Sequence, residues 1–204
     1  MDAAGWMLVA GFVVFLVGAA LWKPAVYQQP LREALTAMAA DRPRLRWIQG
    51  WMIAGVVIST AAVFALGAEL HQAGEGALGL VAATVFALGA AVWVVALCFH
   101  LTVTEWAAAE TAHTGTVPEG YEAWHRWAGS LYAVHMLLGY LTAALLGIVL
   151  LRTGLTPRWF ALGEVALGAS CAAGFVVLRG GPFGPPILVH ALTAATGVAL
   201  LLSG

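Results

Sequence analysis

The stretch WAGSLYAVHMLLGYLTAALLGIVLL, residues 127–151, runs for 25 residues without an aspartate, glutamate, lysine or arginine. A helix needs about 20 predominantly apolar residues to cross the hydrocarbon of a bilayer. Backbone polar groups inside lipid must be satisfied within the segment, which makes helix the only single-segment solution. This run therefore predicts a membrane-spanning helix. Working outward, it extends to 123–151, and five more stretches share its character: residues 4–22, 51–70, 77–101, 157–178 and 184–202. Gly and Pro punctuate the connections, at Lys23-Pro24, Gly74-Glu75-Gly76, Thr156-Pro157 and Gly180-Gly181-Pro182, where they disfavour continued helix. The expected fold is all-α: a polytopic six-helix membrane bundle, one integral domain over residues 1–204.

Composition narrows the function classes. The chain is 62% hydrophobic and 9% charged, with a mean hydropathy of +0.90. Soluble domains carry about 25% charged residues, so the bilayer is the expected surroundings. A net charge of −1 without a clustered basic face leaves nucleic acid out as a partner. Cys98 and Cys171 both fall in apolar runs, which predicts buried, inert thiols rather than a disulfide framework. No P-loop, G-x-S-x-G elbow or H-E-x-x-H motif occurs, so nucleotide, acyl-transfer and zinc-protease chemistry have no starting point. The start, Met1-Asp2-Ala3-Ala4-Gly5-Trp6, lacks the basic n-region of a cleaved signal, and residues 8–22 are expected to stay as a first span.

Charge sets the expected orientation. Residues 23–49 hold Lys23, Arg32, Arg42, Arg44 and Arg46, the densest basic cluster in the chain. The positive-inside rule puts that loop in the cytoplasm and both termini outside. Arg126 and Arg179 agree, whereas Arg152 and Arg158 oppose it. The Ala-, Gly- and Leu-rich composition resembles that of GC-rich bacteria and suggests a bacterial cytoplasmic membrane. Residues 31–40, between Pro30 and Arg42, read as an interfacial helix acting as a surface connector. Trp22, Trp47, Trp51, Trp106, Trp124, Trp127 and Trp159 fall near span ends, as an interfacial aromatic belt does.

The loop 100–122 carries Glu105, Glu110, Glu119 and Glu122. Its first part, 102–112, reads as helix continuing out of the membrane. Thr116-Val117-Pro118-Glu119 has the form of a capping box, so the fourth helix is expected to begin near Pro118. Running to Leu151 it would be about 50 Å long, with Tyr121, Glu122, His125 and Arg126 at the interface.

Ionisable groups within a membrane are costly and mark candidate functional sites. His135 lies mid-run, His190 a turn into the last span, His125 at the mouth of the fourth helix and His100 at the end of the third. Neutral imidazole is a common ligand for metals and haem iron. Tyr121, His125, Tyr132, His135 and Gly139 fall on one broad helical face, and Gly139 leaves room for a flat ligand or a neighbouring helix. Helices four and six enter from the same side, so His190 and either His125 or His135 could grip one iron, with His100, Thr104 and Tyr132 near the cofactor. The plain alternative is that these side chains hydrogen-bond between helices. Glu164, inside the fifth span, is a candidate for a proton path or a partner for Arg158. Ala166, Ser170 and Gly174 form a small-residue ridge suited to helix packing.

Glu122-Ala123-Trp124-His125-Arg126, opening a membrane helix, resembles the E-x-x-H-R signature of the haem A synthase family. Residues 163–174 and Pro186-Ile187-Leu188-Val189-His190-Ala191 resemble its next two helices, and the similarity covers about residues 119–202. The resemblance implies haem b held by His125 and His190, Glu122 near the reacting face, and Arg126 near a propionate or lipid phosphate. That family is built from two four-helix halves, and this chain offers one. The expected function is therefore a haem-b-binding membrane protein with a redox or haem-handling role. Two other readings use the same residues: an accessory or scaffold subunit associating with other membrane subunits or with itself, and a small proton-linked transporter or sensor using Glu164 and His135.

Overall fold

The computed structural model describes residues 2–178 and 184–203, and every regular element among them is helical. In chain order they are α1 (Asp2–Ala19), α2 (Pro24–Tyr27), α3 (Leu31–Ala40), α4 (Arg42–Gln72), α5 (Gly76–Phe99), a π-helical turn (His100–Thr104), α6 (Glu105–Thr114), α7 (Tyr121–Thr153), α8 (Arg158–Val177) and α9 (Ile187–Ser203). Among the described residues, five helices are long and apolar enough to cross a membrane: α1, α4, α5 with its continuation to Thr114, α7 and α8. Where a sixth span is expected stands α9, an apolar helix of 17 residues, about 25 Å long and shorter than those five. Arg179 and the Gly180-Gly181-Pro182 turn lie outside the described residues.

Helix α1 packs on α4, α4 on α5, α5 on α7 and α7 on α8, while α9 lies chiefly against α1 and more lightly against α7 and α8. One apolar core runs through all six, with Phe15, Val56, Phe86, Met136, Phe175 and Val189 among its members. Bare backbone lets the helices approach this closely. A Cβ on Gly55 would lie 2.7 Å from the Phe15 nitrogen, and one on Gly168 would lie 2.5 Å from the Ala144 nitrogen. The buried seam of α8 is therefore Ala161, Glu164, Gly168 and Ala172, whereas Ala166 and Ser170 are exposed. The α7 crossing thus uses the face that carries Gly168, and the ridge of Ala166 and Ser170 lies on the outer surface of α8. Cys98 also departs from expectation, being a free thiol on an exposed face, with Cys171 partly covered.

Two boundaries move, and one helix takes a larger role. Helix α4 begins at Arg42, nine residues before the apolar run, because Pro43 sits in its first turn, a position where the missing N–H costs nothing. Helix α7 starts at Tyr121 rather than near Pro118. Gly115 (φ 76°) and Gly120 (φ 77°) turn the chain left-handed on both sides of the expected capping box, and Thr116 pairs with Thr114 instead. Helix α3 is more than a surface connector. It docks on α6, burying Leu35 with Ala107, Ala108 and Tyr121, and Arg46 of α4 clamps Glu105 of α6 at 2.5 and 3.0 Å. Chain alternation puts α2, α3, α6 and the starts of α4, α7 and α9 at one end of the bundle. That end carries the candidate site.

Candidate functional site

The imidazoles fall into two sets. At the α2–α3 end, a cavity of about 290 Å³ is lined by both His100 and His125, with Trp22, Tyr27, Gln49, Trp93 and Tyr132 among its walls. An adjoining cavity of about 200 Å³ shares Tyr27, His100 and His125 and reaches Glu122 and Arg126. Small-molecule sites usually occupy about 300–1,000 Å³ of concave, mostly apolar surface with a few placed polar groups. The first cavity lies at the lower edge of that range and its neighbour adds to it.

Local structure explains why these side chains meet. A π turn inserts one residue into the helical repeat and is frequent at functional sites. Here it spans His100–Thr104, at the point where α5 becomes α6. His100 Nδ1 lies 3.1 Å from Thr104 Oγ1, and the buried Tyr121 hydroxyl donates to the same oxygen at 2.9 Å. Tyr121 stacks between Phe99 and His125, with centroids 6.1 and 5.9 Å away. A chain of contacts thus fixes His100 to the first turn of α7, where His125 resides. His125 Nδ1 is buried without a hydrogen-bond partner among the described residues, and so is Gln49 Oε1. One turn along α7 from His125, Gly129 also lines the cavity and a Cβ there would meet nothing within 4 Å. Tyr27 sits outside the spanning helices. Burial raises its hydroxyl above the ordinary tyrosine value, against a hydrogen bond with Trp22, so it stays neutral.

His135 and His190 form the second set, deep in the core and 1% and 0% exposed. Their ring centroids are 5.8 Å apart. Trp93 stacks on His135 at 5.1 Å and 9°, and Phe15 covers His190 at 4.1 Å. Neither lines the His100–His125 cavity, which Pro186, just ahead of α9, helps to line. Gly139 makes way for Val189 of α9, which a Cβ there would strike; of the two occupants expected beside that glycine, the neighbouring helix is the one present.

Of the remaining expected residues, Tyr132, Glu122 and Arg126 line the two cavities, and Glu164 lies apart from them. Glu122 and Arg126 pair with each other at 2.7 Å, both well exposed. Tyr132 lies against Trp93 at 5.1 Å. Glu164 is 4% exposed and takes a hydrogen bond from Thr196 of α9, not an ion pair with Arg158; its Oε2 has no partner among the described residues. Sequence reasoning misses two residues that line the cavity, Gln49 and Trp93. Gln49, a polar residue about two turns inside α4, and Trp93, the tryptophan furthest from a span end, are the available signals.

The donor set limits what can bind. Among the described residues no group of three or more His, Cys, Asp or Glu side chains gathers to hold a metal ion. Haem iron brings four nitrogens of its own and needs only one or two axial ligands from protein, so a pair of imidazoles suffices for it. The unpartnered His125 nitrogen, the flat Gly129 surface and the aromatic walls suit a planar, mostly apolar group. No family model, curated protein or solved structure matches this chain.

Proposed function

We propose that the protein binds haem b in the His100–His125 cavity and serves a redox or haem-handling role in a membrane, with α9 completing a six-span bundle. One observation carries this reading: two imidazoles, delivered by a π turn and by the adjoining helix start, line one aromatic-walled cavity. Bound there, haem b would supply one-electron redox chemistry.

In this reading His125 and His100 would hold the haem iron. Thr104 Oγ1, 3.1 Å from His100 Nδ1, would orient the ring as outer partners orient ligating histidines, leaving Nε2 for iron. Trp22, Trp93 and Tyr132 exclude water from the ring faces. Arg126 lines the adjoining cavity and can turn from Glu122 towards a propionate, because an exposed ion pair of this kind is worth only about 0–1 kcal/mol. The α2–α3 end carries Lys23, Arg42, Arg44 and Arg46, so the positive-inside rule orients the cavity to the cytoplasm.

The test is a visible spectrum of the detergent-purified protein, as isolated and after haem reconstitution. A low-spin Soret band is expected in the native chain and in His190→Ala. His125→Ala should lose it, and His100→Ala should turn high-spin. A native chain that takes up no haem under either condition ends this reading.

A further inference from the structure

The core pair His135–His190 poses a problem that the cavity leaves untouched. Buried polar atoms are nearly always hydrogen-bonded, and exceptions point to strain, catalysis or an unplaced water or ion. His135 Nδ1–H donates to the Gly89 carbonyl at 3.2 Å. A carbonyl only accepts, so Nδ1 carries the proton and the lone pair of neutral His135 is on Nε2. That atom has no partner among the described residues, and neither does Nδ1 or Nε2 of His190. One lone pair on each ring is therefore left inside an apolar bundle, with the rings 5.8 Å apart and tilted by 31°.

We propose that His135 and His190 together hold one Cu(I) ion, in a low-coordinate site separate from the His100–His125 cavity. The spacing suits it. Metal–imidazole bonds of ~2.0–2.1 Å put two ring centroids on one ion about 6.3 Å apart when the N–metal–N angle is straight, and closer as it bends. The tautomer suits it as well, because a backbone carbonyl bound to the far ring nitrogen is the usual outer partner of a ligating histidine.

Charge selects the ion. The rings packed against the pair belong to Trp93 and Phe15, and among the described residues no carboxylate pairs with either imidazole. Two neutral imidazoles cannot offset a divalent charge in a low-dielectric interior, where the cost of burying an ion is severe. A monovalent ion escapes most of that cost, and the indole and phenyl faces attract a cation. Among first-row metals that imidazole favours, copper is the one with a stable monovalent form. This site does not depend on haem binding.

The experiment takes the full-length protein in detergent, under ascorbate, with Cu(I) supplied against a colorimetric Cu(I) chelator. One equivalent should be retained, while His135→Leu and His190→Leu should bind more than about tenfold more weakly, as loss of a ligand demands. His100→Ala and His125→Ala should keep the full affinity. Failure of the native chain to bind copper, or equal binding by the leucine variants, overturns the site. Should those variants fold poorly, anomalous scattering at the copper edge decides on the native chain: a peak between the two rings supports the proposal, and a peak elsewhere or none refutes it.

Discussion

The two histidine pairs use the same side chain in opposite surroundings. His100 and His125 stand at the end of the bundle, on a cavity, with Thr104 and Tyr121 orienting one of them. His135 and His190 are sealed in the middle between Trp93 and Phe15. Room distinguishes them. The first pair faces about 290 Å³ of open space bounded by aromatic walls, enough to begin accommodating a flat organic group. The second is sealed, with Val189 pressed onto Gly139 beside it. Trp93 touches both, lining the cavity and stacking on His135, so the two sites are separated by a single indole.

The sharpest way to break the contrast is at the crossings that build the sealed pair. Gly55→Leu forces side-chain atoms into the Phe15 backbone, which cannot yield as a side-chain tip can. Overpacking usually costs about 1–3 kcal/mol and more against rigid neighbours, and this variant should lose its monodisperse peak on size exclusion. Gly139→Leu first meets the Val189 side chain rather than backbone and should be milder, lowering the melting temperature while the cavity still takes up haem.

At the cavity the expected signature is reversed, with a large spectral effect and a small structural one. His125→Ala should abolish the Soret band yet shift stability by no more than ~1 kcal/mol, because the ring is only partly buried and its removal leaves no unpaired partner. A melting temperature that collapses with the band would show the histidine to be structural. Tyr121→Phe removes a hydroxyl that bonds Thr104. It should cost about 0.5–1.5 kcal/mol and weaken haem affinity by ~10-fold through the loosened His100, read by thermal melt and haem titration. The smallest change is Glu164→Gln, which keeps the acceptor for Thr196. Its absorption spectrum should match the native one and its stability should lie within ~0.5 kcal/mol. Proton uptake that persists in this variant would remove Glu164 from any proton path.

Much of this architecture was readable from residues alone. The long apolar runs located α1, α5, α7 and α8 to within a few residues, since the bilayer sets both length and hydropathy. The exposed belt of Trp47, Trp106, Trp124 and Trp159 likewise falls near helix ends. The sequence reading was less secure where structure depends on partners distant in the chain. Periodicity put His125 and His135 on one broad face of α7, yet a divergence of nearly a quarter turn, together with the crossing of α9, sends one to the cavity and the other to the core. No local pattern announces a π turn at His100–Thr104, and without it His100 reads as the tail of a span. The capping box before Tyr121 was a valid local signal overruled by two left-handed glycines.

By itself, then, the sequence determined an all-helical chain with membrane-spanning segments, because burying so much apolar surface with so few charges admits no other economical arrangement. Which imidazole faces which was decided only by the tertiary structure. Helix packing is settled by where bare backbone permits close approach, and Gly55, Gly139 and Gly168 act through neighbours tens of residues away that a linear pattern does not contain.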